Sequence, residues 1–188
     1  MNSSLLLVLC VGFSALLGAR GAPAPSADEV KYTKCKALSI KLNEMARDLY
    51  NKVESPKIAI IIDEPPVSIR PIDTCDPWSL QNNKETCQSR IILALKNYTR
   101  IFHKDGVFKN SACSNWTKEA NNIANVTGDL LRVLKEPVVD APLTAVGWHV
   151  NALCRDSVER LYSFSIISAR VFSFLASLVA PTVEMKQC

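Results

Sequence analysis

Apolar residues recur at helical spacing in four segments of this chain, and proline-bearing connections separate several of them. In the first segment, about 30–53, Cys35, Leu38, Leu42, Met45, Leu49 and Val53 follow one another at intervals of three or four residues. That spacing stacks them on one side of an amphipathic helix. Asp28 stands where it caps the start, or Ser26 if the helix begins earlier. The second segment, about 83–102, carries Cys87, Ile91, Leu95, Tyr98 and Phe102 on one stripe. In the third, about 116–134, the stripe is Trp116, Ala120, Ile123, Thr127, Leu130 and Leu134, with Ser114 or Asn115 as the cap and Pro137 and Pro142 closing it. The fourth runs from about 148 to 179, and Pro181 stops it. Between the first two, Pro56, Pro65, Pro66 and Pro71 forbid a long helix, while residues 58–62 suit a short extended stretch.

With no convincing strand pattern, these segments predict an all-α chain, a long-chain four-helix bundle. The connection after the first helix is long enough to cross the bundle from end to end. So is the one at 135–147, because about twelve residues reach about 40 Å extended, against about 30 Å for a 20-residue helix. The stretch 103–115 reads as the turn between antiparallel neighbours. Two crossover connections predict up-up-down-down order.

The amino end adds a compartment. Residues 5–17 are nearly all apolar, and Gly18, Ala19, Arg20 and Gly21 follow, then Ala22, Pro23, Ala24 and Pro25. This reads as a secretory signal peptide, 1–21, cleaved after Gly21. The apolar core falls short of the roughly 20 residues that a spanning helix needs. A signal anchor is the rival reading, and the absence of Lys or Arg ahead of the apolar run weakens the signal pattern slightly. No other segment reads as long and uniformly apolar enough to span a membrane, so 22–188 is expected to be released as one domain, without membrane insertion, its first residues disordered. Loss of Arg20 takes the formal charge from +4 to +3. So mild and scattered a charge argues against nucleic acid as a partner.

Cysteines and sequons fit an oxidising route. Of seven cysteines, Cys10 leaves with the signal, and Cys35, Cys75, Cys87, Cys113, Cys154 and Cys188 remain. Six cysteines allow 15 pairings, and spacing alone does not choose among them. Asn97-Tyr98-Thr99, Asn115-Trp116-Thr117 and Asn125-Val126-Thr127 are candidate glycosylation sites. Asn97 and Asn125 fall opposite the apolar stripes and are expected to turn their sequons to solvent.

The second half of the fourth helix is apolar over far more than the one stripe that a single core requires. The remaining face carries Arg170 with Ser163, Ser173 and Ser177, flanked by Ile166 and Phe174. Either this helix is surrounded on all sides, or it buries one face in its own core and offers the other to a partner. Small serines let a partner backbone come close, and Arg is a frequent interface anchor.

Catalytic chemistry finds no constellation. His103 and His149 are the two histidines, and there is no Cys-x-x-Cys pair, no Gly-x-Ser-x-Gly elbow and no phosphate-cradling glycine loop. A Cys154–His149 pair lies five positions apart, which on a helix is about 140° of rotation. No catalytic residue, metal or cofactor is expected.

Residues 35–42 (CKALSIKL), 73–91 (DTCDPWSLQNNKETCQSRI) and 168–172 (SARVF), the last followed by Ala180 and Pro181, are similar to helices A, B and D of alpha subunits in the interleukin-6/interleukin-12 family of four-helix cytokines. The third helix and the loops match only in kind. The resemblance implies a secreted subunit that forms a heterodimer with a cytokine beta subunit built like a soluble receptor. That heterodimer engages cell-surface cytokine receptors and signals through JAK–STAT in immune cells. Arg170 matches an arginine that enters a pocket of the beta subunit, with Ile166, Ser173 and Phe174 around it. Trp148 matches a receptor-contacting tryptophan, although a core role suits it equally. The resemblance also supports a Cys75–Cys87 bridge. In up-up-down-down order the first helix starts where the fourth finishes and the fourth starts beside the 103–115 turn, which suggests Cys35–Cys188 and Cys113–Cys154 as candidate pairs. Residues 69–74 hold no cysteine where the family carries one bonded to the beta subunit, so a covalent link is either lacking or made by Cys113, Cys154 or Cys188. Two alternatives stay open within the family, an alpha subunit of the interleukin-12 branch and a monomeric cytokine of the interleukin-6 branch. A secreted helical carrier of lipid is the alternative from another class.

Overall fold

A computed structural model describes residues 24–53, 71–109, 111, 113–139, 141–143 and 149–180. The expected signal segment 1–21, the stretch 58–62, Trp148, Pro181 and Cys188 lie outside the described residues. The described chain is all-helical, with five α-helices and two short 3-10 turns.

Helix α1, Ala27–Lys52, starts earlier than its apolar stripe predicts. Its cap is Ser26, whose hydroxyl oxygen accepts the Glu29 N–H at 3.1 Å, while Asp28 and Glu29 sit in the first turn where the helix dipole favours acids. Helix α2, Pro77–Asn82, is a short helix that the stripe analysis does not predict. Asp76 accepts the Ser79 N–H at 3.0 Å and the Ser79 hydroxyl at 2.6 Å, and Pro77 at the first position has no N–H to lose. These bonds hold the Asp76 carboxyl below its ordinary pKa. Asn83 and Lys84 then separate α2 from α3, Glu85–Ile101.

Helix α4, Thr117–Val133, follows a 3-10 turn at Ser114–Trp116. Ser114 and Asn115, the expected caps, lie in that turn; Trp116 precedes the helix and makes no side-chain cap. The helix ends before Pro137, on Lys135, whose φ of 63° is left-handed. There the Glu136 N–H bonds Leu131 O at 2.9 Å and the Lys135 N–H bonds Arg132 O at 3.0 Å, the paired bonds of a Schellman ending. Helix α5, His149–Val179, is the longest, at 31 residues.

The broadest packing is between α1 and α5, then between α3 and α4 and between α1 and α4. Helices α1 and α5 lie alongside in opposite directions. Tyr32 shares a cleft with Leu175, Leu178 and Val179, Asn43 donates to the Ser165 hydroxyl at 3.0 Å, and Tyr50 stacks on Tyr162 at 5.1 Å. Helices α3 and α4 are joined by a buried bond between the Thr99 and Thr127 hydroxyls at 2.9 Å. The amino ends of α1 and α3 meet where Gln88 donates to the Tyr32 hydroxyl at 2.7 Å. The carboxyl end of α1 meets the start of α4 through Lys52 and Glu119 at 3.0 Å. The core is filled by Leu42, Leu49, Ile91, Leu95, Tyr98, Phe102, Phe108, Ile123, Leu130 and Phe172, all essentially inaccessible.

One expectation is corrected here. Among the described residues, 152–179 of α5 is long and apolar enough, by length and composition, to cross a membrane. The reason is that this segment carries apolar side chains on the core face and on both flanks of a narrow polar ridge. Its core face is taken by α1, with the Asn43–Ser165 bond between them.

Candidate functional site

The buried residues of α5 fall on one stripe: Val150, Cys154, Ser157, Val158, Leu161, Phe164, Ser165, Ser168, Val171, Phe172 and Leu175. Glu159, Ser163, Arg170 and Ser177 fall opposite, within about 40° of one another at 100° per residue. All four are exposed. Ile166 and Ser173 lie on one flank of this ridge, and Ile167 and Phe174 on the other; each is half-buried. Leu178 at its end is 45% exposed. The helix is therefore not surrounded on all sides by the described residues: one stripe serves this chain's core and the Arg170 ridge stays open.

The ridge is preorganised by its own helix. The Ser177 hydroxyl donates to Phe174 O at 2.7 Å, and the Ser163 hydroxyl donates to Glu159 O at 3.3 Å. Both serines are thus satisfied without a partner and present small, low surfaces on either side of the guanidinium. Among the described residues no carboxylate forms an ion pair with Arg170. A guanidinium in this setting keeps its planar donors free for a carboxylate or carbonyl acceptor.

Two of the bridges named from the sequence are formed. Cys75–Cys87 has its Cα atoms 5.1 Å apart and pins α2 to the start of α3. Cys113–Cys154, with Cα atoms 6.3 Å apart, ties the α3–α4 connection to the beginning of α5. Cys154 is thereby unavailable as a nucleophile. The third pairing, Cys35–Cys188, needs correction. Cys35 is a free thiol, fully buried on the core stripe of α1. Burial pushes its pKa up to about 11 against the pull of Lys31, so it stays protonated and inert.

No protein-family model matches this chain, and no curated protein matches it.

Asn125 faces solvent and Thr127 lies on the buried stripe, both as expected; Asn97 departs from expectation. Asn115 and Asn125 are exposed, but Asn97 is half-buried, and Thr99 and Thr127 of two sequons lie inside the fold. Sequence reasoning missed two further apolar side chains at the surface. Ile72 is 78% exposed and Trp78 is 75% exposed. The signal for Trp78 was the Asp76-Pro77 cap, which fixes where α2 starts and turns Leu80 rather than Trp78 into the core. Among the described residues no group of His, Cys, Asp and Glu is arranged to hold a metal ion.

Proposed function

We propose that this chain is the alpha subunit of a secreted, heterodimeric cytokine of the interleukin-23 type. Its partner is a beta subunit built like a soluble receptor, of the interleukin-12 beta kind. The pair binds cell-surface cytokine receptors and signals through JAK–STAT in immune cells, and the chain catalyses nothing itself.

The fold proposed with this role is a long-chain four-helix bundle in up-up-down-down order, formed by α1, α3, α4 and α5. Three contacts favour it. The amino ends of α1 and α3 lie together at Tyr32 and Gln88, the end of α1 meets the start of α4 at Lys52 and Glu119, and α5 returns along α1. The Cys113–Cys154 bridge places the start of α5 beside the α3–α4 connection, as that order requires.

The observation that carries the reading is the open Arg170 ridge on a helix whose opposite stripe is fully used. In the proposal Arg170 enters a pocket of the beta subunit, with Ile166, Ser173 and Phe174 closing around it. Trp148, outside the described residues, is the proposed receptor contact.

Co-expression tests this. The chain alone should be retained, and the beta subunit should bring it into the medium as a stable complex. Free secretion of a monomer, with no complex on co-expression, would refute the heterodimer.

A further inference from the structure

Two of the three sequons lie within helices, and helical geometry sets their Asn and Thr at odds. Residues two apart on an α-helix are rotated by about 200°. An Asn that faces solvent therefore turns the Thr of its sequon inward. In Asn97-Tyr98-Thr99, Tyr98 is 1% and Thr99 6% exposed. In Asn125-Val126-Thr127, Val126 is 4% and Thr127 0% exposed. The two threonines belong to one contact. The Thr99 hydroxyl lies 2.9 Å from the Thr127 hydroxyl and donates to Leu95 O at 2.8 Å, while the Thr127 hydroxyl bonds Ala124 O at 2.9 Å. Asn115-Trp116-Thr117 is different: it spans a 3-10 turn and the first residue of α4, and none of its residues is buried.

Glycan transfer needs both ends of a sequon at once. The Asn amide nitrogen attacks the anomeric carbon of a lipid-diphosphate-linked oligosaccharide. The N–C bond forms as the C–O bond to the diphosphate breaks; the diphosphate leaves with that electron pair, and the amide gives up one proton. The transferase aligns the amide by gripping the Thr hydroxyl two residues on, which an extended segment permits. In the folded chain the Thr99 and Thr127 hydroxyls are bonded to each other and to backbone, between two helices.

We propose that Asn97 and Asn125 are folding-gated modification sites, open to N-glycosylation only before α3 and α4 pair. The same two hydroxyls serve the transferase first and the helix interface afterwards. The order does not reverse, because exposing Thr99 means unwinding α3 around Tyr98, and exposing Thr127 means unwinding α4 around Val126. Once attached, a glycan on Asn125 projects from an exposed position and leaves the packed residues undisturbed. This inference rests on the secreted reading.

The test uses the glycan-free mature chain, folded with both bridges formed, beside the same chain reduced and alkylated. Each is incubated with purified oligosaccharyltransferase and its lipid-linked donor, and site occupancy is read by mass spectrometry. Occupancy at Asn97 and Asn125 should fall at least tenfold in the folded chain. Equal occupancy in folded and unfolded chains at either site would overturn the proposal. In cells, dithiothreitol delays bridge formation and should raise occupancy at both sites; occupancy unchanged by this delay counts against it. A chain that stays protease-accessible in the cytosol, glycosylated at none of the three sites, overturns the secreted reading instead.

Discussion

The two faces of α5 have similar chemistry and different fates. Both carry large apolar side chains, and both carry serines. On the inner face Leu161, Phe164, Val171 and Phe172 pack against the rest of the chain. On the outer face Ile166, Ile167 and Phe174 stand half-open around an exposed Arg170. The serines do not sort by face. Ser163 and Ser177 outside and Ser165 inside are bonded to their own helix, whereas Ser157 and Ser168 inside have buried hydroxyls with no bonding partner among the described residues. Composition therefore does not tell a core face from an open one. Whether neighbouring elements of the same chain account for the burial does.

The largest effect should come from emptying the inner face. Phe172→Ala removes a fully buried ring and should cost about 3–5 kcal/mol in denaturant unfolding. A loss below about 1 kcal/mol would mean that the inner stripe is not the core.

Arg170→Ala addresses the outer face. Its unfolding free energy should stay within about 0.5 kcal/mol of the parent. Heterodimer formation should weaken by about 2 kcal/mol or more in a quantitative pull-down, and Arg170→Lys should recover little because an ammonium lacks the planar fork. If both variants bind as the parent does, the ridge is not the interface and the comparison loses its functional half.

The inner serines come next. Ser168→Ala and Ser157→Ala each remove a buried hydroxyl that has no bonding partner, and should leave stability unchanged or raise it by up to about 1 kcal/mol. Ser165→Ala should instead cost about 1 kcal/mol, because it orphans the Asn43 amide. Equal losses for all three would show that the unbonded pair is satisfied in solution.

Acid should produce the smallest change, and away from α5. Asp76 and Glu119 have pKa values held below their ordinary 3.8 and 4.5, Asp76 by hydrogen bonds from Ser79 and Glu119 by its bond from Lys52. The stability they add is present above those ordinary values and is lost as pH falls through the lowered ones. Melting temperature should therefore decline slightly on acidification below about pH 4. Removing Glu119 with Glu119→Gln should flatten part of that decline.

The helices that pack on one another were legible because their stripes repeat over many turns. The stripe of α3, Cys87 through Phe102, and that of α4, Ala120 through Leu134, are the residues found buried. Helix α2 was not legible as a stripe, because one buried residue, Leu80, makes no period. Only its Asp76-Pro77 start marks it. The cap of α4 was misplaced because a 3-10 turn, directly after Cys113 of the bridge to Cys154, takes up Ser114 and Asn115. The Arg170 face was legible as the polar remainder of an over-wide apolar helix, but not whether it stays open. Deciding between a surrounded helix and a two-faced one required knowing which elements lie beside α5.

The packing of α1 on α5 joins the first helix of the fold to its last, as the Asn43–Ser165 bond does across 122 residues of sequence. A chain emerging amino end first can pair α3 with α4 while α1 still lacks its main neighbour. At about 5–20 residues per second, roughly 4–16 s separate the synthesis of Asn97 from that of Val179. The last helix made thus sets when the whole core can close, and no fragment cut short of α5 can cover the stripe of α1. Completion of the fold is delayed until α5 has been made, and a product truncated before it carries that delay as permanently exposed apolar surface.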